Sequence, residues 1–198
     1  MKEFKCGTIS IIGKPNTGKS TLINTLTGVK ISAVSDKPNT TRNKILGVYN
    51  SENSQIIFLD TPGLQKSSKF LNRIMVQSSY QAIGESDIVL VLIDGSKKST
   101  INTEDIASKI VNKKPIIAIN KIDLIKKSKI LNIVNTLKDK FPNVESFIPI
   151  SALEEEGLGV LIEELEKVLP VSDKLLPDDM TTDQTEKFYI SEIIREKI

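Results

Sequence analysis

Thr8-Ile9-Ser10-Ile11-Ile12-Gly13-Lys14-Pro15-Asn16-Thr17-Gly18-Lys19-Ser20-Thr21-Leu22-Ile23 is the stretch on which the fold turns. A short apolar run of strand length is followed at once by G-x-x-x-x-G-K-S, and then by residues with helical apolar spacing. That is the context a phosphate loop requires. Gly13 and Gly18 let successive backbone N–H groups turn inward around an anion, and the start of the following helix adds its positive dipole end. Lys14, Pro15, Asn16 and Thr17 carry the loop, Lys19 reaches the β and γ phosphates, Ser20 offers a hydroxyl to Mg²⁺, and Thr21 extends the cradle into the helix. A lysine on a surface loop adds little packing, so removing Lys19 should cost the phosphate contact and leave the fold intact.

Outward from this loop, the chain alternates strand-length apolar runs with amphipathic stretches. The runs are Thr8 to Ile12, Gln55 to Leu59, Ile88 to Ile93, Pro115 to Ile119 and Ser146 to Ile150. They are continuously apolar, which suits strands buried on both faces of a parallel sheet. Between and after them, Lys19 to Leu26, Phe70 to Ile83, Thr103 to Val111, Ile130 to Lys140 and Val160 to Leu169 have helical spacing. Ile45 to Tyr49 adds a sixth strand. Only Asn50 and the link Ser51-Glu52-Asn53-Ser54 part it from Gln55, so it should pair antiparallel through a hairpin. The expected fold is α/β: a three-layer, doubly wound, mostly parallel six-stranded sheet of the P-loop NTPase type.

After Leu169, Pro170, Pro177 and a Ser/Asp/Thr-rich stretch to Thr185 read as a linker. Ile190, Ile193, Ile194 and Ile198 then share one helical face without a C-cap signal, so the chain is expected to stop inside a helix, with a further domain beyond it.

Composition narrows the chemistry. The 198 residues hold 27 Lys plus Arg against 25 Asp plus Glu, and are 39% hydrophobic and 26% charged, which is the balance of a globular chain with a real core. With no His and a single cysteine, Cys6, neither a Cys/His zinc site nor His-based acid/base catalysis is available. No apolar run approaches the roughly 20 residues that span a bilayer, and no signal-peptide core follows Met1, so a cytoplasmic location is expected. The lysine pairs at 97 and 98, 113 and 114, and 126 and 127 are interrupted by neutral or acidic sequence and form no basic block.

Three further motifs fall at strand ends, where ligands bind in sheets of this kind. Asp60-Thr61-Pro62-Gly63 follows Ile56-Ile57-Phe58-Leu59 and places a carboxylate where it can act on Mg²⁺ through the groups that bind the ion, with Gly63 able to bring a backbone N–H to a γ phosphate. Asn120-Lys121-Ile122-Asp123 ends the next run but one. A carboxylate at Asp123 accepts both the N1–H and the 2-amino group of guanine, whereas adenine would face it with a lone pair. Lys121 can lay its aliphatic stem over the base, and Asn120 can tie this loop to the phosphate loop. Ser151, Ala152 and Leu153 come at the following strand end, the Ser151-Ala152 pair offering a backbone N–H to the guanine carbonyl.

This ordered set resembles the translation-factor-related GTPases and, more narrowly, the bacterial Era GTPases. Pro38-Asn39-Thr40-Thr41-Arg42 resembles that family's switch segment, Asp60-Thr61-Pro62-Gly63-Leu64 matches its Asp-Thr-Pro-Gly-Leu, and Phe188 through Glu196 resembles the entry to its RNA-binding KH domain. The resemblance implies a GTPase domain in residues 1–170, with 171–198 as linker and start of a truncated KH-type domain. It implies GTP/GDP and Mg²⁺ as ligands, with Lys19, Thr41 and Gly63 as catalytic groups and Ser20, Thr41 and Asp60 at the metal; the residues alone do not choose between Thr40 and Thr41. It also implies a role in small ribosomal subunit assembly through the 3′ end of 16S rRNA, bound by the KH domain, in a cytoplasmic monomer with peripheral association at the inner membrane face. No Gly-x-x-Gly clamp is present in these residues, so this chain alone should hold RNA weakly.

The residue after Gly63 is Leu64, which cannot orient a water as the Gln of many GTPases does, so slow intrinsic hydrolysis is expected. Relatives with a similar Pro-Asn-x-Gly-Lys-Ser loop use K⁺ in place of an arginine finger, and Asn16 would be its ligand here; the plainer reading makes Asn16 a turn residue. Two functions stay open: a GTP-hydrolysing switch, or a binding module that nucleotide merely stabilises. ATP use is the weaker third reading, opposed by Asp123. Exchange of that carboxylate tests the base: Asp123→Asn should weaken GTP binding and admit xanthosine nucleotides, whose 2-oxo group needs a donor. Full retention of GTP selectivity in competition binding would remove Asp123 from the base pocket.

Overall fold

The computed structural model describes residues 3–32, 45–60, 81–98, 103–108, 110 and 112–184. Six strands form one sheet in the order β2-β3-β1-β4-β5-β6. They are β1 (Lys5–Gly13), β2 (Ile45–Asn50), β3 (Ser54–Asp60), β4 (Ile88–Asp94), β5 (Ile116–Asn120) and β6 (Ser146–Pro149). All neighbours run parallel except β2 with β3, whose antiparallel register pairs Tyr49 with Ile56 across the expected hairpin. The doubly wound sheet is therefore as the apolar runs indicate.

Side-chain alternation splits the core into two layers. Ile9, Ile11, Phe58, Leu90, Leu92, Ile116 and Ala118 pack on one face with Leu22 and Ile23 of helix α1 (Lys19–Thr27). Leu161 and Leu165 of the last helix among the described residues, Leu158–Val168, join the same layer. Val89, Val91, Ile93, Ile117 and Ile119 meet Ile106, Ile133 and Leu137 on the other face. These last three come from α2 (Glu104–Ala107) and α3 (Lys127–Lys138), so the Leu158–Val168 helix is α4. Each buried Val, Leu, Ile or Phe side chain among these contributes roughly 1.5–3 kcal/mol through burial, which is why β4, buried along its whole length, can sit at the centre of the sheet.

Several boundaries differ from the sequence reading for local reasons. Helix α3 begins at Lys127, three residues before the apolar periodicity starts, because its first turn is polar and exposed. Helix α4 begins at Leu158, after Gly157 adopts a left-handed backbone with φ 77°. Of the stretch Phe70 to Ile83 only the end is described, as helix over residues 81–85, and α2 spans four residues among those described in 103–111. The segments around Thr41 and Gly63, and residues 185–198, lie outside the described residues.

The stretch that reads as a linker lies along the sheet. Cys6 N–H donates to Pro170 O at 3.1 Å, Val48 N–H donates to Thr181 O at 2.9 Å, and Gly47 bridges antiparallel to Thr182. Buried Gln55 fastens it: its Nε2 donates to Leu176 O, and its Oε1 accepts the N–H groups of Leu175 and Leu176, all at 2.9–3.0 Å. Gln55→Ala removes both halves of that contact, so a loss of about 2 kcal/mol is expected, or a fall in Tm of about 5 °C for a chain of this size. Thermal melting measures it, and faster proteolysis at residues 175–176 should accompany it. A Tm within a degree of wild type would show that these residues are held by other contacts.

Candidate nucleotide site

The site lies along the carboxyl edge of the sheet, where β1, β3, β4 and β5 end in Gly13, Asp60, Asp94 and Asn120. Chain direction puts all four there, since parallel strands deliver their C-termini to one side. Gly13, Lys14, Pro15, Asn16, Thr17 and Gly18 link β1 to α1. Gly18 has φ 97°, and a Cβ there would stand 2.3 Å from Asn120 Nδ2, so both backbone and space require glycine. Asn16 also has a left-handed backbone, φ 63°, which asparagine tolerates better than most residues. Thr17 is buried and donates from Oγ1 to Lys14 O at 2.9 Å.

Lys19 is not a surface lysine. It is only 7% exposed, and its Nζ donates to Gly13 O at 3.3 Å and Lys14 O at 3.1 Å. The loop curls over the first turn of the helix and encloses its ammonium group. Burial pushes the Lys19 pKa down to about 8, although the negative charge of Asp60 pulls it upward. The expectation that its removal leaves packing untouched therefore does not hold for the loop itself. Ser20 Oγ donates to Asp60 Oδ2 at 3.1 Å. The hydroxyl, in the first turn of α1, and the fully buried carboxylate, at the end of β3, are hard oxygen donors, the donor type that Mg²⁺ takes, and so the pair fits that ion.

Asn120 joins three loops. Its Nδ2 donates to Thr17 O at 2.8 Å and its Oδ1 accepts the Ala152 N–H at 2.9 Å, while Thr25 Oγ1 of α1 donates to Ala152 O at 3.0 Å. The tie between Asn120 and the phosphate loop was legible in the sequence; the second tie, to Ala152, was not. It occupies the amide that the sequence reading offers to a guanine carbonyl, and Ser151 N–H donates to Glu156 O. Asp123 is exposed in the 3₁₀ turn Ile122–Leu124, open to a base. Leu153 is exposed beside the buried Ala152, and Thr21 is half-buried in α1.

Lys121 takes a left-handed backbone with φ 65°, and its ammonium donates to Asn16 O at 2.8 Å and pairs with Asp94 Oδ2 at 2.8 Å. Asp94 escaped the sequence reading. Its only signal was position, at the carboxyl end of a buried run like Asp60 and Asn120. Burial alone would raise its pKa, but the hydrogen bond and charge of Lys121, with hydrogen bonds from Ser96, hold it below the usual carboxylate range. Asp94 thus fixes the lysine stem whose apolar side a planar base can cover. Thr41 and Gly63, with Thr40 and Leu64, lie outside the described residues.

Loops in this order on this edge of a doubly wound sheet are what define the P-loop GTPases. The family described as "50S ribosome-binding GTPase" matches residues 8–121. GTPase Era of Syntrophus aciditrophicus is 45% identical over 202 residues, an alignment covering 98% of this chain and 64% of that protein. GTPase Era of Thermotoga maritima is 44% identical over 199 residues, covering 99% and 66%. Among solved structures, Era in complex with MgGDPNP and nucleotides 1506–1542 of 16S ribosomal RNA superposes with TM-score 0.91 at 40% identity, covering 98% of this chain and 67% of that one. An Aquifex aeolicus Era variant bound to GDP·AlF4⁻ gives 0.90 at 39%, with the same coverage. The chain belongs to the Era family of GTPases, and it spans about two thirds of the length of these relatives.

The lowered Lys19 pKa makes a calorimetric prediction. Nucleotide phosphates would raise it again, so binding of GDP at pH 9 should take up most of a proton, while binding at pH 7 takes up none at this lysine. Heats measured in two buffers of different ionisation enthalpy read the uptake directly, and Lys19→Ala should abolish it. The sign for folding is the opposite: a buried ammonium is a penalty fully present below about pH 8 and relieved between there and the ordinary lysine value. Equal heats in the two buffers at pH 9 would show that Lys19 is already charged in the free protein.

Proposed function

We propose that this chain is the nucleotide-binding and hydrolysing part of a GTP-driven switch in small ribosomal subunit assembly. The observation that carries the reading is the Asn120 side chain, which locks the phosphate loop to the base loop at 2.8 and 2.9 Å while Asp123 stands exposed next to it. Support for the ribosomal role comes from the relative solved with MgGDPNP and a 16S rRNA fragment. In the whole protein, RNA contact belongs to a KH-type domain beyond the linker; the cell location is the cytoplasm, with peripheral contact at the inner membrane face, and the protein acts as a monomer.

Guanine enters between the Lys121 stem and the turn at residues 151–153. Its N1–H and 2-amino group donate to Asp123, and its carbonyl either shares the Ala152 amide with Asn120 or takes the amide of Leu153. Lys19 exchanges the Gly13 and Lys14 carbonyls for phosphate oxygens, and Ser20 and Asp60, with Thr41, would hold Mg²⁺. That ion would supply positive charge against the phosphates. Water attacks the γ phosphorus in line as the bond to the bridging oxygen breaks, and the charge growing on that oxygen is met by Lys19 and the amides of the loop. Gly63 and Thr41 sense the γ phosphate and relax when it leaves. With Leu64 unable to orient the water, turnover is slow without a partner.

Single-turnover GTP hydrolysis with and without small ribosomal subunits tests this role. Acceleration by the subunit supports the switch, and no hydrolysis under either condition would leave a nucleotide-stabilised binding module.

A monovalent cation at Asn16 is part of the proposal. The left-handed backbone explains an asparagine there by itself, so Asn16→Gly separates the two roles: glycine keeps the turn and removes the carbonyl. Hydrolysis faster in K⁺ than in Na⁺ at equal ionic strength, with the difference lost in Asn16→Gly and GDP affinity kept, supports a K⁺ ligand. Equal rates in the two salts would leave Asn16 as a turn residue.

A further inference from the structure

Helix α1 ends at Gly28, and the chain passes through exposed Val29 and Lys30 before Ile31 and Ser32 turn inward to 2% and 1% exposure. One side chain holds that inward turn. Asn24 Oδ1 accepts the N–H groups of both Ile31 and Ser32 at 2.9 Å, and its Nδ2 donates to Ser32 O at 2.8 Å. With its backbone held from both sides, Ser32 has one rotor left. That hydroxyl donates to Asp60 Oδ2 at 2.8 Å, the same oxygen that accepts Ser20 Oγ at 3.1 Å.

We propose that Ser32 is a positioning residue for Mg²⁺, orienting the Asp60 carboxylate through the same oxygen that accepts Ser20, with Asn24 as the clamp that fixes Ser32. At 0% exposure the Asp60 carboxylate is screened from bulk solvent, so its rotation about the terminal bond is governed by the hydrogen-bond donors aimed at it. Ser20 is a poor anchor because its oxygen is also needed by the cation. Ser32 is off the phosphate loop and off the base loops, and this frees it to serve the carboxylate alone. Outer hydrogen-bond partners of metal-holding groups typically change metal affinity by about 10–100-fold when lost. A plain buried serine, satisfied by its nearest acceptor, would contribute to stability and have no bearing on Mg²⁺.

The inference rests on the reading of Ser20 and Asp60 as a Mg²⁺ pair, and the test separates the two. The rate of release of a fluorescent GDP analogue from residues 1–198 is measured over a Mg²⁺ titration that starts in excess EDTA. In wild type, Mg²⁺ should slow release along a saturating curve. In Ser32→Ala the midpoint should move up by about tenfold, with release in EDTA within about twofold of wild type. Asn24→Ala, which keeps the hydroxyl and loosens its clamp, should move the midpoint in the same direction by less, and serves if Ser32→Ala folds poorly. A wild-type rate indifferent to Mg²⁺ would overturn both readings. A normal midpoint in a folded Ser32→Ala, or in Asn24→Ala where that is the variant measured, would overturn the role of Ser32 alone, as would an equal rise of release in EDTA.

Discussion

Everything at this site depends on one amide. Asn120 is fully inside the protein, donates to the phosphate loop and accepts from the base loop, and it can do so only because Gly18 has no Cβ to occupy the 2.3 Å approach. A carboxamide is the one side chain of that length carrying a donor and an acceptor on the same planar group. An aspartate would lack the donor, and a leucine of similar volume would leave a buried carbonyl and a buried N–H unpaired, at about 1–3 kcal/mol each. Loops from β1, β5 and β6 are thereby held in one geometry before any ligand arrives. Affinity for nucleotide then draws on preorganisation, since the loops need not be ordered on binding.

A second layer of order is electrostatic. Lys121 and Asp94 neutralise each other at 2.8 Å, so the lysine presents its stem where its charge would otherwise pull it to solvent. Lys19 is treated the other way: it is buried against carbonyl groups that only partly compensate its charge, which leaves it easier to neutralise than an ordinary lysine. A poorly compensated ammonium gains most from an arriving anion. On the proposed reading the two lysines therefore divide the work, one as a wall for the base and the other as a charge waiting for phosphate.

Most of the fold was legible because parallel buried strands leave a dense apolar signal. Ile88 to Ile93 and Ile116 to Ile119 needed no context to be recognised, and the loop Gly13 to Ser20 has a spacing that few other structures require. Legibility ended where a residue's role depends on a partner remote in sequence. Asp94 is one of many acidic residues until Lys121 is seen to reach it. Ser32 and Asn24 are ordinary polar residues after a helix, and nothing in their spacing announces Asp60. Residues 171–184 carry the composition of a linker, and only the buried Gln55, which looks like one polar residue at the start of an apolar strand, reveals that they are tied down. The first turn of α3 was invisible for the opposite reason, since Lys126-Lys127-Ser128-Lys129 has no apolar face to mark it.

The path of residues 171–184 also bears on solubility. Strand β2 is the outermost strand on its side of the sheet, and such an edge is a template on which another chain can add a strand. Here the Val48 amide is already spent on Thr181 and Gly47 is bridged to Thr182, so the chain covers part of that edge with its own backbone. A version cut at the compositional boundary near Pro170 would keep every nucleotide-site residue described above and expose that edge. Such a version would offer the freed Val48 amide to a neighbouring strand, a contact that Thr181 takes up in the longer chain.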